Sequence, residues 1–314
     1  EWTYDDAKRK LTERFYDASG EPVVTARGYA GVDHEYDEAG NLTGDTYRDA
    51  AGEITPLANG AAIIRRVFND EKQKTEESYF DAENQPVMIT GGYAVVRNEY
   101  NEAGQVSAVS YFDESEAPVL VGGYARVERE YDEAGNISRE KYFGTDGEPV
   151  LLADGYQMAE WTYDDAKRKV TERFYDASEE PVVTTKGYAG VDHEYDEAGN
   201  VTGDTYRDAA GEIAPLANGA AIIGRVFNDA KQKTEESYFD ADHKPVMITD
   251  GYAVIRFEYD EEGRVVRTQY FGTDGKAAVL ADGYSETETA YADDGSSVTT
   301  YLDADGNVIK PEEE

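Results

Sequence analysis

An all-β fold of tandem repeats is what this sequence predicts, and three observations predict it. A Gly-Tyr or Gly-Ala pair returns every 32 residues, and each interval holds short β-compatible runs. Gly or Pro also interrupts each window before twelve helix-compatible residues accumulate. The repeat glycines are Gly28, Gly60, Gly92, Gly123, Gly155, Gly187, Gly219, Gly251 and Gly283, with one 31-residue step from Gly92 to Gly123. The predicted organisation is a partial repeat over 1–27 and full repeats over 28–59, 60–91, 92–122, 123–154, 155–186, 187–218, 219–250 and 251–282. An atypical C-terminal repeat over 283–314 is Ser/Thr-rich, ends in PEEE, and reads as a cap.

A longer period lies above the first. Residues 1–91 return as 160–250 with 79 of 91 positions identical, a five-unit duplication dividing the chain into 1–159 and 160–314. The chain starts without Met and part-way through a repeat. The expectation is a fragment of a longer protein, whose leader, anchor or catalytic domain would lie outside it.

Repeat 123–154 shows the elements in order. Its first strand is YARVEREY, with Val127, Arg129 and Tyr131 on one face and Glu128 and Glu130 on the other. The turn DEAGN follows, with Gly where a positive φ is expected, and then a second strand, ISREKYF. A second turn, TDG, leads to a third strand, PVLL, whose proline suits an edge or a first strand position. A three-stranded unit of this size cannot bury a core alone. Stacking into an elongated, β-solenoid-like array answers that need. The alternative is a closed, propeller-like ring, whose blades use four strands and roughly 40 residues.

The 25 tyrosines fall into three places in the repeat. Seven follow the repeat glycine: Tyr29, Tyr93, Tyr124, Tyr156, Tyr188, Tyr252 and Tyr284. An aromatic stands at the ninth position of all ten copies, from Tyr4 to Tyr291, and another ends each second strand, as at Tyr79 and Tyr111. One reading is a ring-on-ring ladder between stacked repeats. The other leaves one ring per repeat exposed to stack on a sugar, which makes the seven tyrosines after the glycine the candidate ligand-binding residues.

Catalytic chemistry is not what these residues spell. With no Cys, thiolate nucleophiles, zinc-thiolate sites and disulfides are excluded. His34 and His193 occupy one repeat position in the duplicated halves, where other repeats have Arg66, Asn98, Arg129 or Trp161. Neither these nor His243 show a fixed Ser, Cys or carboxylate companion in the sequence. Carboxylate pairs recur in each repeat, so no glycosidase dyad stands out. The expectation is a protein that is not an enzyme and has no cofactor.

Asp-rich turns such as Asp303-Ala-Asp305-Gly306-Asn307 raise calcium, but an EF-type loop wants Gly sixth and these have it fourth. Type I turns with a positive-φ residue account for them, leaving only weak, diffuse cation binding. The triplets at Asn41, Asn136 and Asn200 read as turn residues before glycan acceptors.

Two family resemblances rest on these motifs. Tyr79-Phe80-Asp81 and Tyr111-Phe112-Asp113, with Asp154-Gly155-Tyr156, resemble the bacterial cell-wall-binding repeats of choline- and glucan-binding surface proteins. Tyr131-Asp132, followed by Gly135-Asn136, is similar to the YD repeats of bacterial surface and toxin shells. The wall-binding families have repeats of about twenty residues and Gly-Trp, where this chain has 32 and Gly-Tyr. What the resemblance implies is a bacterial cell-surface, extracellular module. Its expected partner is a carbohydrate or cell-envelope polymer. The alternatives are a mechanical spacer displaying another domain, or an accessory region of an envelope-polysaccharide enzyme.

Charge narrows the partners. With 67 acidic and 30 basic residues the chain carries −37, which opposes nucleic acid and anionic membrane surfaces. No apolar run of membrane-spanning length exists, so no membrane insertion is expected within it. Repeat 123–154 has eight acidic and four basic residues, so the charge is spread by repetition and not gathered in a patch. Its expected work is solubility and protection of strand edges.

Overall fold

The computed structural model describes residues 1–309, and each regular element in them is a β-strand. The PEEE ending therefore lies outside the described residues. The chain forms two compact units, Glu1–Ala153 and Asp154–Glu314. The boundary falls just before Gly155, between whole repeats, whereas the sequence duplication is phased on residue 160.

In the first unit the strands are β1 (Trp2–Tyr4), β2 (Lys10–Arg14), β3 (Gly31–Tyr36), β4 (Leu42–Arg48), β5 (Ile63–Phe68), β6 (Lys74–Phe80), β7 (Val95–Tyr100), β8 (Val106–Phe112), β9 (Arg126–Tyr131) and β10 (Ile137–Phe143). Each pairs antiparallel with the next in chain order. The second unit repeats the plan with β11 (Met158–Tyr163), β12 (Lys169–Tyr175), β13 (Gly190–Tyr195), β14 (Val201–Arg207), β15 (Ile222–Phe227), β16 (Lys233–Phe239), β17 (Val254–Tyr259), β18 (Val265–Phe271), β19 (Glu286–Tyr291), β20 (Ser297–Leu302) and β21 (Val308–Ile309). Among the described residues no pairing joins the last strand of either unit to its first, so each is an open meander and not a ring.

Each repeat thus supplies two long strands, as the alternation in YARVEREY and ISREKYF predicts. The third segment is shorter than the sequence suggests. It meets its repeat at one bridge, Phe80↔Pro86 or Phe143↔Pro149, after which Val87 and Val150 donate to the carbonyls of Tyr79 and Tyr142. Proline supplies no N–H at that position, and the repeats with Ile54, Ile213 or Ala277 there form the same single bridge. Among the described residues, the last repeat alone converts the segment into a two-residue strand, β21.

The strand turns share one geometry. In the Asp37–Asn41 turn, Gly40 N–H donates to Asp37 O and Asp37 N–H to Asn41 O, while Gly40 has a φ of +86°. This is a type I turn closed by a left-handed residue, the three-residue hairpin loop. Asp37 Oδ1 accepts the N–H of Asn41, so the turn carboxylate satisfies backbone donors. The opposite turn places Asp81, Asp113 or Asp240 in the same role, and two repeats have Gly144 or Gly272 there instead.

The 31-residue step has a local cause. Where other repeats use a three-residue loop, Val121 and Tyr124 exchange backbone hydrogen bonds around Gly122 and Gly123, both at positive φ (64° and 98°). Two positive-φ residues make a two-residue type I′ loop, one residue shorter. The last repeat shows a similar economy. β20 has six residues where the second strands of the other full repeats have seven, and the β-bulge present in the other complete hairpins is absent from β19–β20.

Left-handed positions held by non-glycine residues provide a test. His243 has a φ of +60°, a conformation costing an L-residue roughly 1–2 kcal/mol. His243→Gly is expected to raise the denaturation midpoint, and Gly122→Val to lower it by a similar or greater free energy. Chemical denaturation followed by tyrosine fluorescence checks both.

Candidate functional site

The seven candidate tyrosines are rungs of a ring ladder. In the first unit it runs Phe15–Tyr29–Tyr47, then Tyr79–Tyr93–Tyr111–Tyr124–Tyr142, with centroids 5.0 to 6.0 Å apart. In the second it runs Tyr156–Phe174–Tyr188–Tyr206, then Tyr238–Tyr252–Tyr270–Tyr284–Tyr301, with centroids 4.8 to 6.0 Å apart. Rungs alternate between the ring after the repeat glycine and the ring ending a second strand. Edge-on and tilted contacts at these distances suit the aromatic quadrupole.

Tyr29 is buried and the other six candidates are half-buried. Tyr29, Tyr93, Tyr124, Tyr188, Tyr252 and Tyr284 each have a ring on either side, and Tyr156 lies on Phe174. The third segment covers the ladder, as Val87 and Ile89 do for Tyr79 and Tyr93. Burial raises the phenol pKa of Tyr47, Tyr124, Tyr206 and Tyr270 to about 12. Such phenols are desolvated hydroxyls in a protein interior.

The ladder is interrupted where Gly-Ala replaces Gly-Tyr. Ala61 and Ala220 are fully buried, and Ile64 with Ile89, or Ile223 with Ile248, fills the space against Tyr79 or Tyr238. Beside the ladder runs a seam of small residues, Ala30, Ala62, Ala94, Ala125, Ala189, Ala221, Ala253 and Ser285, all nearly sealed from solvent. Their backbones bond to two strands at once: Ala94 donates to Phe112 O and accepts from Tyr79 N–H.

A second row, of charge, lies on the same sheet face. In the first unit it reads Glu13, His34, Asp45, Arg66, Glu77; in the second, Glu172, His193, Asp204, Arg225, Glu236. Consecutive members come from consecutive strands and alternate in sign. His193 Nδ1 lies 2.6 Å from Asp204 and Nε2 3.2 Å from Glu172, while Arg225 bridges Asp204 at 2.7 Å and Glu236 at 3.0 Å. Tyr79 and Tyr238 tie the rows together by donating to Glu77 and Glu236 at 2.5 Å.

His34 and His193 therefore do have carboxylate companions, contrary to the sequence reading. The spacing hides them because each partner sits on a neighbouring strand, 11 or 21 residues away. Among the described residues the partners of these two imidazoles are carboxylates, and the row passes on from them to Arg66 or Arg225 and to Trp161. Hydrogen bonds that its ring N–H groups donate to Asp204 and then to Glu172 raise His193 to about 9, so it is a cation at neutral pH, in a slot where other repeats have Arg. Glu172 in turn is held down to about 2, chiefly by its hydrogen bond to His193.

The ninth-position aromatics form a third row. Tyr36, Tyr100, Tyr131, Tyr195, Tyr259 and Tyr291 each donate their hydroxyl to the first carbonyl of the preceding repeat's second strand, at 2.7 to 3.1 Å. Phe68 and Phe227 lack that hydroxyl. The opposite sheet face stacks Arg65, Arg97 and Arg256 on Phe80, Phe112 and Phe271, at 4.3 to 4.6 Å from the ring centroids.

No family model and no curated protein matches the chain. Solved structures do. The chain is similar to the crystal structure of TcdB2-TccC3, at 13% identity over 95% of this chain and 17% of that one, with a TM-score of 0.36. It is similar to TcdB2-TccC3 without the hypervariable C-terminal region at 14% identity, over 95% of this chain and 17% of that one, with a TM-score of 0.37. The Tc holotoxin pore of Photorhabdus luminescens matches at 13% identity over 92% of this chain and 18% of that one, with a TM-score of 0.27. The chain thus spans less than a fifth of the length of these proteins. The likeness transfers no activity, substrate or partner, and the fold rests on the strand pairings themselves.

Two outcomes follow from the rows. Tyr111→Ala removes one rung flanked by two others and is expected to cost about 3–5 kcal/mol, the range for large core aromatics, read from denaturant midpoints. His193, raised from 6.5 to about 9, contributes stability fully present below 6.5 and lost as pH rises through 9. The alkaline fall in melting temperature should shrink in His193→Arg, and NMR titration of the imidazole should give a midpoint near 9.

Proposed function

We propose that this chain is a non-catalytic structural repeat module acting as a spacer that holds another domain away from a bacterial cell surface. The observation that carries this reading is the use of the aromatic area. The rings that the sequence offered to a ligand are committed to joining one repeat to the next. A module whose strongest contacts lie between identical units changes length by whole units without changing its surface, which suits a spacer. The surface placement rests on the sequence resemblance alone.

Carbohydrate recognition at the seven tyrosines is the second reading. Six of them are half-buried, so an edge of each ring reaches solvent, and this favours it. A sugar would have only that edge, since the flanking rings occupy the positions a pyranose would stack on.

The test varies repeat number. With the chain fused between a surface anchor and a fluorescent reporter, insertion of duplicate copies of residues 251–282 should increase the anchor–reporter distance stepwise by energy transfer. An unchanged distance overturns the spacer reading. Titration with millimolar peptidoglycan and host oligosaccharides should leave the tyrosine ring resonances in place, and saturable shifts would favour the second reading instead.

A further inference from the structure

Between successive ninth-position aromatics, the turn of the earlier repeat inserts a planar side chain. Arg9 lies over Tyr36 at 4.9 Å, Arg168 over Tyr195 at 4.5 Å, and Arg264 over Tyr291 at 4.5 Å. Each of these guanidiniums donates to the Asp that opens its own turn, and Arg9 and Arg168 also reach forward to the carbonyl of Asp37 or Asp196 in the next turn. Gln73 makes the forward reach to Gly104 O with an amide.

At three equivalent places the plug is missing. At one of them Asn136 folds back onto Asp132 at 2.9 Å and the aromatic that follows is a tyrosine, Tyr163; the other two differ from it. Asn41 and Asn200 stand where Arg or Gln would, and their short side chains fold back onto Asp37 and Asp196 at 2.8 Å. The aromatic that follows is Phe68 or Phe227, without a hydroxyl. In the second unit this leaves an open hollow of about 480 Å³, bounded by Tyr195, Asn200, Val201 and Phe227, with His193, Asp204 and Arg225 on its floor. That volume lies within the range of small-ligand clefts.

We infer that this hollow is a docking site for the guanidinium of an arginine on a basic partner protein. The occupant follows from the sister positions, where the same wall of tyrosine and turn holds the chain's own arginine. The acceptors have counterparts here. The Asp196 carboxylate corresponds to Asp164, which accepts Arg168 Nε at 2.7 Å, and the Asn228 carbonyl corresponds to Asp196 O. The two cations of the lining, His193 and Arg225, are each paired with two carboxylates, and Asp196, Glu197 and Asp229 in the two flanking turns add acidic charge around the opening. Phe227 offers a ring face to a planar cation. One competitor is present, since Lys231 places its ammonium on Ala198 O at 2.9 Å and ties the same two turns in the opposite direction. The inference is independent of the spacer reading, because a spacer needs no such site.

The experiment is an NMR titration of the full chain with N-acetyl-arginine amide, with the lysine and citrulline amides as controls. Saturable shifts confined to Tyr195, Asn200 and Phe227, and to Tyr36, Asn41 and Phe68, are expected for arginine. Affinity for the lysine and citrulline amides should be at least about tenfold weaker. Asn200→Arg should abolish the response of the second unit and leave that of the first. Lys231→Ala should strengthen it, and Phe227→Ala should weaken it. Equal binding of lysine shows a response to charge alone and overturns the proposal, as does equal binding of citrulline. Undiminished binding to Asn200→Arg, whose folding is checked by the unchanged resonances of the first unit, also overturns it.

Discussion

The constraint on which the rest depends is that a 32-residue repeat cannot enclose its own core. Tyr93 is packed by Tyr79 of the repeat before it and by Tyr111 of its own, so the interior of each unit is shared along its length. Other features follow from keeping those rings in line. A left-handed glycine reverses the chain so that the next residue can drop its ring onto the ladder. A small residue follows because the seam between repeats has backbone on both sides. The proline segment then folds over the rings, supplying Val87 and Ile89 where water would otherwise stand.

The charged row survives beside the rings because its members alternate. A lone half-buried carboxylate would be costly, but Asp204 lies between His193 and Arg225, and its pKa stays below the ordinary value although burial pushes upward. This explains how a chain of −37 can carry so ordered an interior. The inward charges are largely matched pairs. The excess is in turns, where Asp37, Asp81 and Asp240 accept backbone N–H groups that would otherwise be left open. The acidity is therefore partly structural, and not simply a solubilising coat.

Much of this was legible in the sequence. Val127, Arg129 and Tyr131 do share one face, and ISREKYF is β10 residue for residue. Period-2 alternation and turn residues are local signals, and local signals determine strands and hairpins. The third segment reads as a strand because PVLL has the right composition, yet it pairs at a single bridge whether proline or, as at Ile54, Ile213 and Ala277, another residue makes it. The charged row was invisible for a different reason. Glu172, His193 and Asp204 meet only through strand register, which no spacing within one repeat expresses. The tyrosines lay between these cases: their periodicity showed that they mattered, and only their neighbours showed that ring meets ring.

In an array of near-identical units, the departures carry the most information. Ala61 and Ala220 remove a rung, and isoleucines fill the gap, so the change is compensated from within. The Gly122–Gly123 loop removes a residue, and a different turn type absorbs it without disturbing the Tyr111–Tyr124–Tyr142 contacts. Asn200 is unlike either. It replaces a plug that reaches the next turn with a side chain that returns to its own, and its neighbour Phe227 gives up a hydroxyl that could have capped a carbonyl. Both substitutions leave something unfilled, and both recur together in the duplicated half at Asn41 and Phe68. Where a repeat repairs its other irregularities, an opening left twice at one place is the part of the surface that differs in kind from the rest.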